Sequence, residues 1–131
     1  MNAIQYQFLS PRKIVFGAGK RRELGSLAAE LGKRVWLVNG SRTLERQGTL
    51  AEIAGCLSTA GLNVVSLPTV EREPQVADVD RAVDHVKREL AEHGSFPVGE
   101  VVCAVGGGAA IDLAKAVAAL APQHETHSVV E

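Results

Sequence analysis

The chain has 131 residues, 46% apolar and 22% charged, with a formal net charge of −1. That size supports one domain around one core, and the composition is that of a globular protein. The basic residues are scattered, which argues against a nucleic-acid surface; no apolar run approaches a membrane span, so neither nucleic acid nor membrane is expected as a partner.

Four short apolar runs alternate with four helical patterns. Lys13-Ile14-Val15-Phe16 reads as a first strand, ended by the turn signal Gly17-Ala18-Gly19. Leu24, Leu27, Ala28 and Leu31 then repeat at helical spacing up to Gly32. Arg34-Val35-Trp36-Leu37-Val38 reads as a second strand, broken by Asn39-Gly40-Ser41. The next helix turns Leu50, Ile53, Ala54 and Leu57 inward and closes at Gly61. Asn63-Val64-Val65-Ser66-Leu67 is a third strand, stopped by Pro68. A long amphipathic helix after Glu73-Pro74 points Val76, Val79, Val83, Val86 and Leu90 inward.

Val101-Val102-Cys103-Ala104-Val105 has no polar alternation, which predicts a strand covered on both faces. It leads through Gly106-Gly107-Gly108 into a helix from Ala109 to Ala121, apolar nearly all round and so expected to be central. Pro122 ends it, and residues 122–131 form a polar tail. Strands alternating with helices predict an α/β fold: a Rossmann-like layered domain with a mostly parallel sheet flanked by helices. Ligands of such sheets bind beyond the carboxyl ends of the strands, where the strand order reverses.

The triple glycine lies at such an end. Glycines there let a ligand approach the backbone, and the helix N-terminus offers free N–H groups and partial positive charge. A phosphate or pyrophosphate is the natural guest; a tight turn that binds nothing is the alternative. It is not the usual dinucleotide fingerprint, because the G-x-G-x-x-G spacing begun at Gly106 meets Ile111, and the one begun at Gly17 meets Arg22. Ala18-Gly19-Lys20 is no Walker loop either, with Ile14 and Arg21 where glycine and a hydroxyl are needed.

Other candidate groups read more plainly. Cys56 and Cys103 are too few for a disulfide framework and are expected to be small core residues. His124-Glu125-Thr126-His127 lacks the zincin spacing and is expected to be a solvated tail. The opening Met1-Asn2-Ala3-Ile4-Gln5-Tyr6 is unlike a signal peptide, so the cytoplasm is the expected compartment.

The segment from Gly106 through Ala109, Ile111, Asp112 and Ala114 to Lys115 is similar to the GGGSxxDxAK signature of iron-containing alcohol dehydrogenases. Pro11-x-Lys13-Ile14-Val15-Phe16-Gly17-x-Gly19 and Val70-Glu71-x-x-Pro74-x-Val76 resemble two further segments of that family, in the right order. The three together run over nearly the whole chain. The resemblance implies an NAD(P)-binding domain spanning residues 1–131. An all-helical domain that holds Fe²⁺ or Zn²⁺ would then lie outside this chain. Gly106, Gly107 and Gly108 would cover the pyrophosphate, Ala109 would join them among the cofactor-binding positions, and Asp112 would lie on the nicotinamide side. Lys115 matches the signature lysine, although Asp112 and Lys115 could equally form a plain i, i+3 ion pair.

Ala109 stands where the family usually has serine. Asn39-Gly40-Ser41-Arg42 stands where NAD-preferring members carry an aspartate, and the donors of Gly40, Ser41 and Arg42 tilt the expectation towards NADP over NAD. A turn with a helix cap at Ser41 or Thr43 would explain the same residues. Trp36, on the strand leading into that turn, is expected to report adenosine-end binding.

The resemblance therefore implies hydride transfer between NAD(P)H and an alcohol or carbonyl, with no catalytic or metal-binding residue in this chain and no turnover by the chain alone. A dehydroquinate synthase-like cyclase is the runner-up, disfavoured by Lys115. A non-catalytic remnant that binds a nucleotide or a partner chain is a third reading. An exposed sheet edge or uncovered face would allow self-association.

Overall fold

The computed structural model describes residues 5, 7, 10–94 and 99–122. A 3-10 turn at Lys20–Glu23 leads into α1 (Leu24–Ala29), followed by β1 (Arg34–Asn39), α2 (Arg42–Arg46) and α3 (Thr49–Thr59). β2 (Asn63–Ser66), α4 (Val76–His93), β3 (Glu100–Val105) and α5 (Gly108–Leu120) complete the described chain. The three strands form one parallel sheet in the order β2-β1-β3. The expected α/β layering is present.

β1 is the middle strand and is buried at all six positions. Alternate side chains serve opposite layers. Trp36 and Val38 pack with Val79, Val83 and Val86 of α4 and Leu113 and Val117 of α5. Val35 and Leu37 pack with Ala28 of α1 and Ile53 and Leu57 of α3. Each large side chain so buried contributes about 1.5–3 kcal/mol of transfer free energy, which makes β1 the spine of both layers.

Three elements differ from expectation. Lys13–Phe16 has no strand structure: Ile14 is 79% and Phe16 96% exposed. β-branched residues favour extended backbone, but a strand exists only when another edge supplies its hydrogen bonds, and no described strand pairs with this run. β3 is half-buried along its whole length rather than sealed on both faces, because it lies at the end of the strand order. α5, expected to be central, keeps Ala110, Leu113, Ala114 and Val117 inside while Ile111, Ala118 and Ala119 face outward. Its all-round apolarity therefore exceeds what the described layers cover.

α4 is fixed at its start by a reciprocal capping box. The Gln75 backbone N–H donates to Asp78 Oδ2 at 2.8 Å, and the Gln75 side chain accepts from the Asp78 backbone N–H. Among the described residues no helix is long and apolar enough to cross a membrane.

Candidate functional site

The chain runs from β1 to β2 on one side, then crosses β1 to reach β3, so the strand order reverses between β1 and β3. The turns leaving these two strands lie side by side. Gly40 N donates to Val105 O at 3.1 Å. A Cβ on Gly40 would come within 2.7 Å of Ala110 Cβ, and one on Gly106 within 3.4 Å of the Gly40 backbone. Gly106 also has φ 142, a backbone state that favours glycine. The structure thus brings Gly40, Gly106 and Ala110 into one contact at the switch point, where open parallel sheets bind ligands.

Gly107 is the N-cap of α5, with φ −86, and no side chain caps it. A Cβ at Gly107 or Gly108 would meet nothing within 4 Å. The amides of Gly108, Ala109 and Ala110 fall in the first helical turn, where intrahelical acceptors are lacking, and the first intrahelical bond here is Ile111 N to Gly107 O at 3.2 Å. The result is an open helix end with partial positive charge and no carboxylate cap. Its shape and its missing Cβ atoms fit an anionic phosphate linkage.

The other predicted residues are placed as follows. Asn39, 3% exposed, ends β1; its Oδ1 accepts from Ser41 N at 3.1 Å, and its Nδ2 reaches Thr69 Oγ1 at 3.5 Å. Ser41 caps α2 by accepting from Leu44 N at 3.4 Å, so the turn-and-cap reading holds for its side chain. Arg42 is tied to Glu71 through its backbone N–H, 2.9 Å, and through Nε, 3.3 Å. Asp112 and Lys115 face solvent 4.0 Å apart, an exposed ion pair on the outer side of α5.

Sequence reasoning missed the neighbouring cavity. A polar hollow of about 380 Å³ opens beside Arg42 and is walled by Thr69, Glu71, Arg72, Asp78 and Arg81. Asp78, its side chain only 2% exposed, bonds Arg72 and Arg81 together. The Arg72 guanidinium, followed by the Gln75 N–H, holds the Asp78 carboxyl down to about 2. The rule that ligands gather at strand carboxyl ends also covers the loop after β2, and was the available signal.

A larger hollow of about 620 Å³ lies at the opposite edge, beside Trp36, Glu100 and Pro122. Trp36 Nε1 donates to Glu100 Oε2 at 3.1 Å, at the amino end of β3. The indole is therefore directed away from the switch point, with Asn39 three residues on, about 10 Å along the strand. That corrects the expectation that Trp36 reports adenosine-end binding.

Cys56 and Cys103 are free and half-buried. Burial pushes the Cys103 thiol up, which keeps it protonated and unreactive. The His124–His127 run lies outside the described residues.

The family model for iron-containing alcohol dehydrogenase matches residues 11–131. The chain belongs to that family. It is 32% identical over 114 residues to probable NADH-dependent butanol dehydrogenase 2 of Bacillus subtilis, covering 87% of this chain and 27% of that relative. A 3-dehydroquinate synthase of Thermobifida fusca is 36% identical over 110 residues, covering 84% of this chain and 28% of the relative. A mutant of an archaeal halo-thermophilic Red Sea brine pool alcohol dehydrogenase superposes with a TM-score of 0.78 at 28% identity, covering 98% of this chain and 30% of that one. The chain thus spans just over a quarter of the length of the curated relatives it matches.

The metal that the family name implies finds no seat at the switch point among the described residues. The one group of three potential metal ligands among the described residues is Glu89, Glu92 and His93, at the far end of α4 from Asp78. Eleven residues of helix separate Asp78 from Glu89, about 16 Å. These side chains are half-buried to exposed and lie away from the switch point, so they do not fit a metal placed there.

Proposed function

We propose that this chain is the nucleotide-binding part of a metal-dependent NAD(P) alcohol dehydrogenase. The observation that carries the reading is the uncapped, Cβ-free start of α5 packed against the turn after β1. In this reading the amides of Gly108, Ala109 and Ala110 hold the pyrophosphate. Gly106 and Gly40 let the two turns close beneath it, and the adenosine end runs over Asn39–Arg42. Asp112 and Lys115 lie one turn further along α5, on its solvent side.

The reaction class is hydride transfer: an alcohol carbon gives a hydride to the nicotinamide ring and its hydroxyl proton to water, leaving a carbonyl. This chain's residues bind and orient the cofactor. No proton is moved by a described side chain, and the chain alone is expected to bind a dinucleotide without turnover. A synthase-like cyclase is the second reading, favoured by the 36%-identical synthase. Lys115, matching the dehydrogenase signature, speaks against it.

The test is calorimetric titration of the purified chain with NADPH, NADH and ADP, repeated on Gly107→Asp. Aspartate is a strong N-cap, and open space receives its side chain. The variant should melt at the parent's temperature or above it, yet bind every ligand at least ~30-fold more weakly, about 2 kcal/mol. Equal affinities in parent and variant would remove the pyrophosphate seat from α5. No binding by the parent would leave the non-catalytic remnant as the surviving reading.

A further inference from the structure

We propose that the cavity beside Arg42 takes a phosphomonoester, and that its natural occupant is the 2′-phosphate of NADP(H). The proposal rests on the dinucleotide reading above and deepens it by naming which dinucleotide binds.

Position comes first. The cavity lies at the carboxyl end of β2, lined by Arg42 of the β1–α2 turn and by the loop 68–72. In the order β2-β1-β3 it is on the opposite side of β1 from Gly106–Gly108. Strands are about 4.8 Å apart, so it lies roughly 10 Å across the sheet from the pyrophosphate seat. A dinucleotide seated on α5 and laid across Gly40 brings its adenosine ribose to this opening.

Charge comes second. The cavity wall carries three guanidinium groups, Arg42, Arg72 and Arg81, against two carboxylates, Glu71 and Asp78, for a net charge of +1. Asp78 is buried and acts as the anchor. Arg72 reaches it through both terminal nitrogens, and Arg81 reaches it through Nη2. Arg81 has no other acceptor among the described residues, so its Nε and Nη1 remain available to a ligand. The Arg72 and Arg81 side chains are 54% and 64% exposed at the opening. A carboxylate that fixes two planar forks while staying out of solvent preorganises donors for a tetrahedral dianion. A neutral ribose hydroxyl would gain little from them. Glu71 opposes the phosphate, because it faces Arg42 from the same wall.

The experiment titrates the full chain with NADPH, NADH, 2′-AMP and inorganic phosphate by calorimetry, in the parent, Arg81→Gln and Arg72→Gln/Arg81→Gln. Expected are tighter binding of NADPH than NADH and saturable binding of 2′-AMP. Arg81→Gln should weaken NADPH and 2′-AMP about tenfold, and the double variant should weaken them further. NADH affinity should change less than twofold in both, which also shows that each variant is folded. Glu71→Gln should tighten NADPH several-fold.

Equal NADPH and NADH affinities that the variants leave alone would overturn the proposal while the dinucleotide reading stands. If neither dinucleotide binds but 2′-AMP does, dependent on Arg81, the phosphomonoester site stands and the α5 seat falls. Inorganic phosphate binding as tightly as 2′-AMP would overturn the nucleotide assignment in favour of a general anion site.

Discussion

Replacing Gly40 by alanine tests whether the contact between the two turns is what builds the site. The added methyl would sit 2.7 Å from Ala110 Cβ, while carbon atoms rest at about 3.5–4.0 Å. The turn and the start of α5 must therefore part by roughly 1 Å. Ala110 is 2% exposed within the α4–α5 layer and has little room to retreat. Overpacking of this kind costs about 1–3 kcal/mol, and the loss of chain entropy in the unfolded state returns about 0.4–1 kcal/mol. A net loss of about 1–2 kcal/mol should lower the melting temperature by roughly 3–8 °C in a domain of this size. Dinucleotide affinity should fall as well, because the turn and the α5 amides no longer close under one ligand. The cause is checked by Ala110→Gly in the Gly40→Ala background, which removes the opposing methyl. Urea denaturation and calorimetry should show the pair more stable and tighter-binding than the sum of the single changes, by about 1 kcal/mol. Strictly additive losses, or a Gly40→Ala chain that melts and binds like the parent, would refute the reasoning.

Acid should weaken the fold through Asp78. Its carboxyl is held at about 2 in the folded chain, below the unfolded value of about 3.9, so its stabilisation is present at neutral pH and is lost as pH falls from about 4 through 2. Thermal melts across that window should fall more steeply for the parent than for Asp78→Asn, and parallel curves would count against the assignment. Ile14 and Phe16 stand exposed and outside the sheet, so Ile14→Ser with Phe16→Ser should change the stability of this chain by less than about 0.5 kcal/mol. A loss above 1 kcal/mol in urea titrations would mean that the run packs after all.

The strands at 34–39, 63–66 and 100–105 were legible because each is a short apolar run closed by a turn signal. α3 and α4 were legible from their spacing, with Ile53, Leu57, Val79, Val83 and Val86 found inside, although Val76, also expected inside, is exposed in the first turn of α4. Lys13–Phe16 has the same local chemistry and failed as a strand, since pairing depends on a partner edge that local sequence does not encode. α2 went unread for a different reason. Its five residues give too little periodicity, and its one signal, the Ser41 cap, was read only as an alternative to cofactor binding.

The site divides along the same line. Gly106–Gly108 could be read because its parts are contiguous: strand, glycines and helix occur within a few residues. The Arg42, Glu71, Arg72, Asp78 and Arg81 cluster joins three segments that meet only because β2 lies beside β1. Resemblance had already picked out Val70-Glu71-x-x-Pro74-x-Val76, yet as a family landmark with no role. Folding gives that landmark a place at the ligand edge, with Glu71 on Arg42 and the Gln75–Asp78 cap anchoring Arg72 and Arg81. The NADP expectation changes its footing accordingly. It began with donors from Gly40, Ser41 and Arg42, of which Ser41 now caps a helix and Arg42 faces Glu71. The guanidinium groups with donors to spare come from the far side of the loop after β2, and cofactor choice is proposed to turn on them.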